Sequence, residues 1–462
     1  MQSRSLTYVA EGCGGELLGG SPSATITRVC TDSRQAQAGD LFIALAGDKF
    51  DGHDYLIEAA QKGAVAVVVQ RTKVQSQKLS CAVIAVENPR QALGKLAARY
   101  RRDFHLPVIA VGGSNGKTTT KELLASVLRQ RFETLWSEAS FNNEIGVPLT
   151  LLKLDQWHEA AVLEVGTNHP GELAPLVRMI EPQFGVITNL GREHLEFFGD
   201  LNGVAQEEGW LAELLPAHGK LFAHGDSPEL ATILRRTRVK VTCVGFGADN
   251  DWQAIDVKLD AAGTTFQVET ADADFCGEYR VNLLGRHQVV NSLLAAAVGA
   301  ELGLMRKEIE RGLAECQPPK MRMQVWTVNG VRVLDDAYNA NADSVLAALE
   351  TLKEFPCQGR RVAVLGEMAE LGPHSAEAHA EVGRRAAEMR VDQLFAVGKM
   401  AGVMGAAARA AGLMHVTELG EAETGATAVK HFVRSGDVVL IKASRASRLE
   451  RVGEALRGDR KK

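Results

Sequence analysis

Short apolar runs recur along the chain, each closed by turn residues and followed by a longer helical stretch. Val108 to Val111, Ala160 to Val165, Phe184 to Asn189 and Lys220 to Ala223 read as buried strands. Helical segments between them give the βαβ pattern of a parallel sheet. From Asn250 to Arg280 the pattern becomes alternating and polar, which predicts antiparallel strands, and VVNSLLAAAVGAELGL at 289–304 predicts an Ala/Leu-rich helix. Pro318-Pro319 marks a boundary, beyond which Val331 to Asp335, Arg361 to Leu365, Gln393 to Val397 and Asp437 to Lys442 are strands with helices between. Ahead of the central block, short strands and turns, a buried-strand run at Ala64 to Val69 and a helical stretch at Pro89 to Phe104 form a third unit. The expected fold is α/β in three domains: 1–101, 102–318 with a parallel sheet, and a smaller α/β domain at 319–462.

Composition narrows the class. The 462 residues are 45% hydrophobic and 24% charged, as in a soluble globular protein too long for one core. The net charge is −5, and no basic tract marks a nucleic-acid surface; the terminal Arg460-Lys461-Lys462 reads as a solvated tail. No apolar run approaches the roughly 18 residues of a membrane helix, and MQSRSLTYVAEG has no signal-peptide core. Seven scattered cysteines without a CxxC read as reduced thiols. The expectation is a cytoplasmic protein with no nucleic-acid partner and no membrane insertion.

Chemistry enters at VIAVGGSNGKTTTKELLASVL, residues 108 to 128. Strand, glycine-rich turn and helix follow one another, so backbone N–H groups and a helix N-terminus face an anion. Lys117 and Thr118 then stand where a phosphate-binding loop needs a cation and a Mg2+-binding hydroxyl. The match is to a shortened form, because Val111 occupies the position of the first glycine. Ligands of open α/β sheets bind at the carboxyl ends of the strands. Glu164 ends one such strand and His194 follows another, in GREHLE. Singly, a strand-end Glu is often a solvated acid and a lone His a structural residue. Together with Thr118 above one sheet edge, they could hold Mg2+ around a nucleotide.

The segments GGSNGKTTTK, SEASFNNEIGVPLTLL, LEVGTNHPGEL, ITNLGREHLEFFGDLNGVA, GRHQVVNSLLAAA, DDAYNANADSVLAAL, LGEMAELGPHSAEAH and GDVVLIKASRASRLERV resemble those of the Mur ligases. The resemblance runs from about residue 25 to about 455, in the family's order. TNHPGEL, DDAYNAN, LGEMAELG and KASRASR resemble the branch that adds D-alanyl-D-alanine. The DNPR signature of the diaminopimelate-adding branch is absent from the C-terminal block, and an ENPR at Glu87 to Arg90 lies in the first domain.

What the resemblance implies is an ATP-dependent, ADP-forming ligase of peptidoglycan precursor synthesis, acting as a monomer with Mg2+. It would join D-Ala-D-Ala to UDP-MurNAc-tripeptide through an acyl phosphate. The first domain would bind the UDP substrate, the second would be a P-loop ATPase domain and the third Rossmann-like. ATP would sit on Gly113, Ser114, Asn115, Gly116, Lys117, Thr118 and Thr119. Asn291 would read the adenine, with His287 supporting its loop, and Arg322 and Asp336 would reach the phosphates and ribose. Ser33 and Arg34 would hold the UDP part, and Asn142, Asn143 and Glu144 the tripeptide. Lys117, Glu164, His194 and Arg322 would be catalytic. Lys442, Ser444 and Arg445 would lie on the face that closes, with a hinge near Pro318-Pro319.

Some positions depart from the family pattern. Gly112 stands where Thr is usual, Gln288 where Asn is common, Ala342 in place of a Pro and Ala443 in place of a Gly. One departure touches chemistry. Mur ligases usually carry a lysine, in a segment resembling GVAKAKGE, whose carbamate helps bind a second Mg2+. Here the segment is GVAQEEGW, Glu208 sits at that position, and no lysine occurs between Lys153 and Lys220. Glu208 is therefore expected as a metal ligand beside Thr118, Glu164 and His194, since a carboxylate and a carbamate are both hard oxygen ligands. Three rivals remain: a sister ligase with another amino donor, a non-catalytic relative, and a GTPase switch, whose Asn-Lys-x-Asp motif is missing.

Overall fold

The computed structural model describes residues 1–74 and 79–458. The basic end at Arg460 to Lys462 lies outside the described residues. In the N-terminal part, strands order as Glu16–Leu17, Ala82–Val86, Ala66–Gln70, Asp40–Ile43, Arg28–Cys30, all parallel except the first. The helix Pro89–Arg101 is capped by Asn88, whose side chain accepts from the Arg90 and Gln91 N–H groups, with Pro89 at its first position.

The central sheet has nine strands among the described residues. Val108–Gly112 lies inside it, between Phe184–Ile187 and Ala160–Glu164, with parallel pairing on both sides. The expected antiparallel segment forms the far edge, as Trp252–Leu259, Thr264–Thr270 and Gly277–Val281. Two parallel strands escaped the hydrophobic pattern. Thr134–Trp136 is too short to show a period, and Lys240–Gly245 mixes exposed and buried positions. The helix Lys117–Leu128 packs on Arg286–Glu301, which is buried along most of its length. That burial explains an Ala/Leu-rich sequence without a polar face.

The C-terminal sheet orders as Gln324–Val328, Val331–Asp336, Val438–Lys442, Arg361–Leu365, Gln393–Val397, Val416–Leu419. It is parallel but for the first pair. Ala342 is the first residue of the helix Ala342–Glu354, behind an Asn341 N-cap. This position tolerates proline and alanine alike, which accounts for one departure from the family pattern. Ala443 is buried and is not among the residues with positive φ, so it needs no glycine-like conformation.

Candidate active site

The phosphate loop is shaped by two glycines and a web of hydrogen bonds. Gly113 (φ +109) and Gly116 (φ +84) are in conformations that favour glycine. A Cβ on Gly113 would stand 2.5 Å from Thr188 Oγ1, and one on Gly116 would stand 2.7 Å from Asn291 Oδ1. The neighbouring strand end grips the loop: Ser114 N–H donates to Asn189 O (2.9 Å) and Asn115 N–H to Asn189 Oδ1 (2.7 Å). From below, Gly113 N–H donates to Glu208 Oε2 at 2.7 Å. The loop opens into a cavity of about 790 Å3 lined by the central and C-terminal domains.

The central domain lines it with Ser114 to Thr119, with Asn142, Asn143 and Glu144, with Glu164 and His194, and with His287 and Asn291. The C-terminal domain adds Arg322, Asp336 and Lys442. The structure thus brings together most of the sequence-expected residues. Ser33 and Arg34 stand apart in the N-terminal domain, where Ser33 Oγ donates to Glu58 (3.1 Å) and Arg34 pairs with Asp32 (2.8 Å). Glu208 lies behind the cavity wall rather than on it. Ser444 is also off the lining, bonded to Ala340 O and Ala369 N–H, and Arg445 pairs with Glu450 at 3.3 Å.

Electrostatics centre on Lys117. Its ammonium donates to the loop carbonyls of Gly113 and Ser114 and lies 3.3 Å from Glu193 Oε2. Burial works against the charge, but Glu193, Glu208 and Glu164 outweigh it and hold Lys117 above the ordinary lysine range. Burial pushes the Glu208 carboxyl up while Lys117 pulls it down. Glu193 escaped the sequence reading. Its only signal was an acid directly before His194.

The remaining side chains are already oriented. Glu164 Oε1 accepts from Asn142 Nδ2 at 2.9 Å. Asn291 Nδ2 donates to Gln288 Oε1 at 2.8 Å. Asp336 takes the Lys442 ammonium at 2.6 Å and the Met323 N–H at 3.0 Å. Arg322 stacks over Tyr338 at 4.3 Å, on a turn where both Met321 and Met323 have positive φ. His194, itself at φ +47, gives its Nδ1 to Glu370 of the C-terminal domain. Burial holds His287 down at about 4, with Lys442 also lowering it and Asp336 opposing.

Four buried oxygens around the loop have no hydrogen-bond partner: Thr118 Oγ1, Glu164 Oε2, Glu193 Oε1 and Glu208 Oε1. Buried polar atoms are seldom left so. Hard oxygen donors suit Mg2+. Among the described residues no three His, Cys, Asp or Glu side chains converge into a ready-made metal cage. The Gly112 departure has a local cause, since a Cβ there would stand 2.8 Å from Glu208 Oε2.

Comparison with known proteins follows the same three parts. Residues 25–101 match the Mur ligase family catalytic domain, 111–299 the Mur ligase middle domain and 321–445 the Mur ligase glutamate ligase domain. The UDP-N-acetylmuramoyl-tripeptide–D-alanyl-D-alanine ligase of Bacillus subtilis is 33% identical, covering 98% of both chains. A crystal structure of MurF from Acinetobacter baumannii superposes with a TM-score of 0.91 at 29% identity, covering 99% of this chain and 100% of that one. MurF from Thermotoga maritima in complex with ADP gives 0.82 at 29% identity, covering 93% and 97%.

Proposed function

The chain belongs to the Mur ligase family, and we infer from its site that it joins D-alanyl-D-alanine to UDP-N-acetylmuramoyl-tripeptide at the expense of ATP. It is an ADP-forming ligase of peptidoglycan precursor synthesis. The observation that carries the reading is the cavity itself, which sets a lysine-bearing phosphate loop beside buried, unpartnered carboxylate oxygens.

In the reaction a carboxylate oxygen of the tripeptide attacks the γ-phosphorus and ADP leaves. The amine of the dipeptide then attacks the acyl carbon, a proton is lost and phosphate leaves. Two anions must meet in the first step, so charge neutralisation is the main demand on the protein. Lys117 is held charged at the phosphate end of the cavity for that purpose. Phosphates arriving at the loop would take its ammonium from the Gly113 and Ser114 carbonyls. Arg322 brings a second cation from the C-terminal domain. Asn142 keeps Glu164 aimed by bonding one of its oxygens. Thr118, Glu164 and His194 would hold Mg2+, which would supply further charge neutralisation; Glu208 lies behind that set, with its Oε2 on the Gly113 N–H. His194 can keep its Nδ1 on Glu370 while its Nε2 serves as the metal donor, the carboxylate orienting the ring. Asn291 and His287 would receive the adenine, Asp336 the ribose, Ser33 and Arg34 the UDP, and Asn142 to Glu144 the tripeptide.

No helix among the described residues is long and apolar enough to cross a membrane. We place the enzyme in the cytoplasm, where nucleotide-linked precursors are made. We also propose that it acts as a monomer.

The test is phosphate release and product mass with ATP, Mg2+ and UDP-MurNAc-tripeptide, with and without D-Ala-D-Ala, in CO2-depleted buffer. Release that requires the dipeptide and yields a UDP-pentapeptide is the expected result. Its persistence without CO2 is expected because no lysine stands where a carbamate could form. Ligation only with another amino donor would overturn the assignment of the dipeptide.

A further inference from the structure

Helix Leu201–Glu213 carries two adjacent buried carboxylates that serve different loops. Glu208 accepts from Gly113 in the phosphate loop. Glu207 turns the other way and uses both oxygens. Its Oε2 accepts the Gly171 N–H at 2.9 Å and its Oε1 the Leu173 N–H at 2.8 Å. Bonds from backbone N–H groups to an ionised carboxylate are among the stronger ones a loop can have. The segment held in this way, residues 166–172, forms a rim of the cavity. Within it Glu172 Oε2 accepts from the Asn168 and His169 N–H groups, at 2.8 and 3.1 Å.

The rim lies toward the N-terminal domain. The helix that continues from it, Leu173–Ile180, packs on Pro89–Arg101 of that domain. Met179 of this helix both lines the cavity and meets the other helix, since a Cβ on Gly94 would stand 2.9 Å from its Cε. A substrate anchored on the N-terminal domain would meet this rim on its way to Glu164.

We propose that Glu207 is a positioning residue for the peptide of the UDP-linked substrate, fixing the 166–172 rim from the same helix whose Glu208 fixes the phosphate loop. The proposal rests on the reaction assigned above and names which of its substrates the rim serves. Misplacement of a substrate by a fraction of an ångström is costly, so a brace outside contact distance can govern one KM alone.

Glu207→Gln keeps one acceptor oxygen and sets an amide NH2 against the second N–H. In the full-length enzyme the KM of each substrate is measured, with calorimetric titration of ATP–Mg2+ and hydrogen exchange at Gly113, Gly171 and Leu173. The expected result is a UDP-MurNAc-tripeptide KM raised at least fivefold. The KM values for ATP and D-Ala-D-Ala stay within twofold, and exchange accelerates at Gly171 and Leu173 but not at Gly113. An equal rise in all three KM values, a rise confined to the dipeptide, or an unchanged tripeptide KM despite faster exchange overturns the proposal. Gly171→Ala is the second variant. Gly171 has φ +91 and no atom near its missing Cβ, so the change perturbs the rim backbone alone and is expected to give the same split. A wild type that binds no UDP-tripeptide defeats the reaction assignment first. The exchange comparison needs no substrate and then decides the brace by itself.

Discussion

Toward the N-terminal domain the central domain presents mainly apolar helices, with the Arg90–Glu144 ion pair at the edge, and toward the C-terminal domain mainly polar and charged groups, with Leu284 as an apolar contact. At the first seam one hydrophobic core runs from Leu6 through Leu96 and Tyr100 to Leu151, Leu163 and Ile180 without a break. Tyr100 is fully buried there, donating to Leu154 O at 2.8 Å and accepting from the Gln2 N–H at 2.7 Å. Arg101 crosses the same seam to Ile180 O at 3.0 Å. At the second seam Arg192 forks onto Asp343 and Glu381, both at 2.6 Å. His194 meets Glu370, Asn115 meets Asn341 at 2.9 Å, and Ser140 meets Tyr338. A dry core has one good packing and resists shear. Polar pairs exchange for water at small net cost. We therefore expect the N-terminal and central domains to move as one body and the C-terminal domain to separate more readily. Arg322 and Asp336 of the C-terminal domain line the cavity, so the placement of that domain decides whether the site is complete.

The largest effect is expected from breaking the dry seam. Tyr100→Ala should cost about 3–5 kcal/mol of stability, read as a lower denaturant midpoint, because it empties a fully buried aromatic site. The KM values of the folded fraction should change little.

Acid should act on the other seam. Burial holds His287 at about 4, below the ordinary histidine value of about 6.5, beside Asp336 and Lys442 of the closing domain. A base with a depressed pKa keeps its proton off in the folded state while the unfolded chain takes one up. The associated stability is fully present above about pH 6.5 and is lost as pH falls from there toward about 4, by about 1 kcal/mol per pH unit. Equilibrium unfolding across that range should show the slope, and His287→Phe should flatten it.

Arg192→Ala should leave global stability within about 1 kcal/mol, since the side chain is partly solvated. It should lower kcat/KM about fivefold by disfavouring closure, with a larger radius of gyration in scattering. Salt gives the smallest effect. Between low and high NaCl the unfolding midpoint of Tyr100→Ala should move in parallel with wild type, while closure weakens slightly in wild type and less in Arg192→Ala.

Much of this was legible in the chain. Glycines at 113 and 116, a lysine and a hydroxyl between an apolar strand and a helix point to a phosphate loop, and both glycines do take positive φ. Glu164 and His194 were legible as strand-end residues. The partners were not. His194 meets Glu370 and Arg192 meets Asp343 only once domains dock, and no local period encodes such a pairing. Glu208 was visible as a departure, but its bond to Gly113 and its dependence on a bare Gly112 are three-dimensional. Glu207 gave no signal, since a Glu on a helix is ordinarily solvated. Glu193 was hidden behind a more conspicuous histidine.

The contrast between seams is tested most directly by pulsed electron resonance distances between labels at exposed Ile57, Leu234 and Met414, one on each domain. The 57–234 distance is expected to be narrow and unchanged by ATP–Mg2+ and UDP-MurNAc-tripeptide. The 234–414 distance should be broad without ligands and sharpen with them. A 57–234 distance that shifts with ligand, or a 234–414 distance that does not, would contradict that contrast.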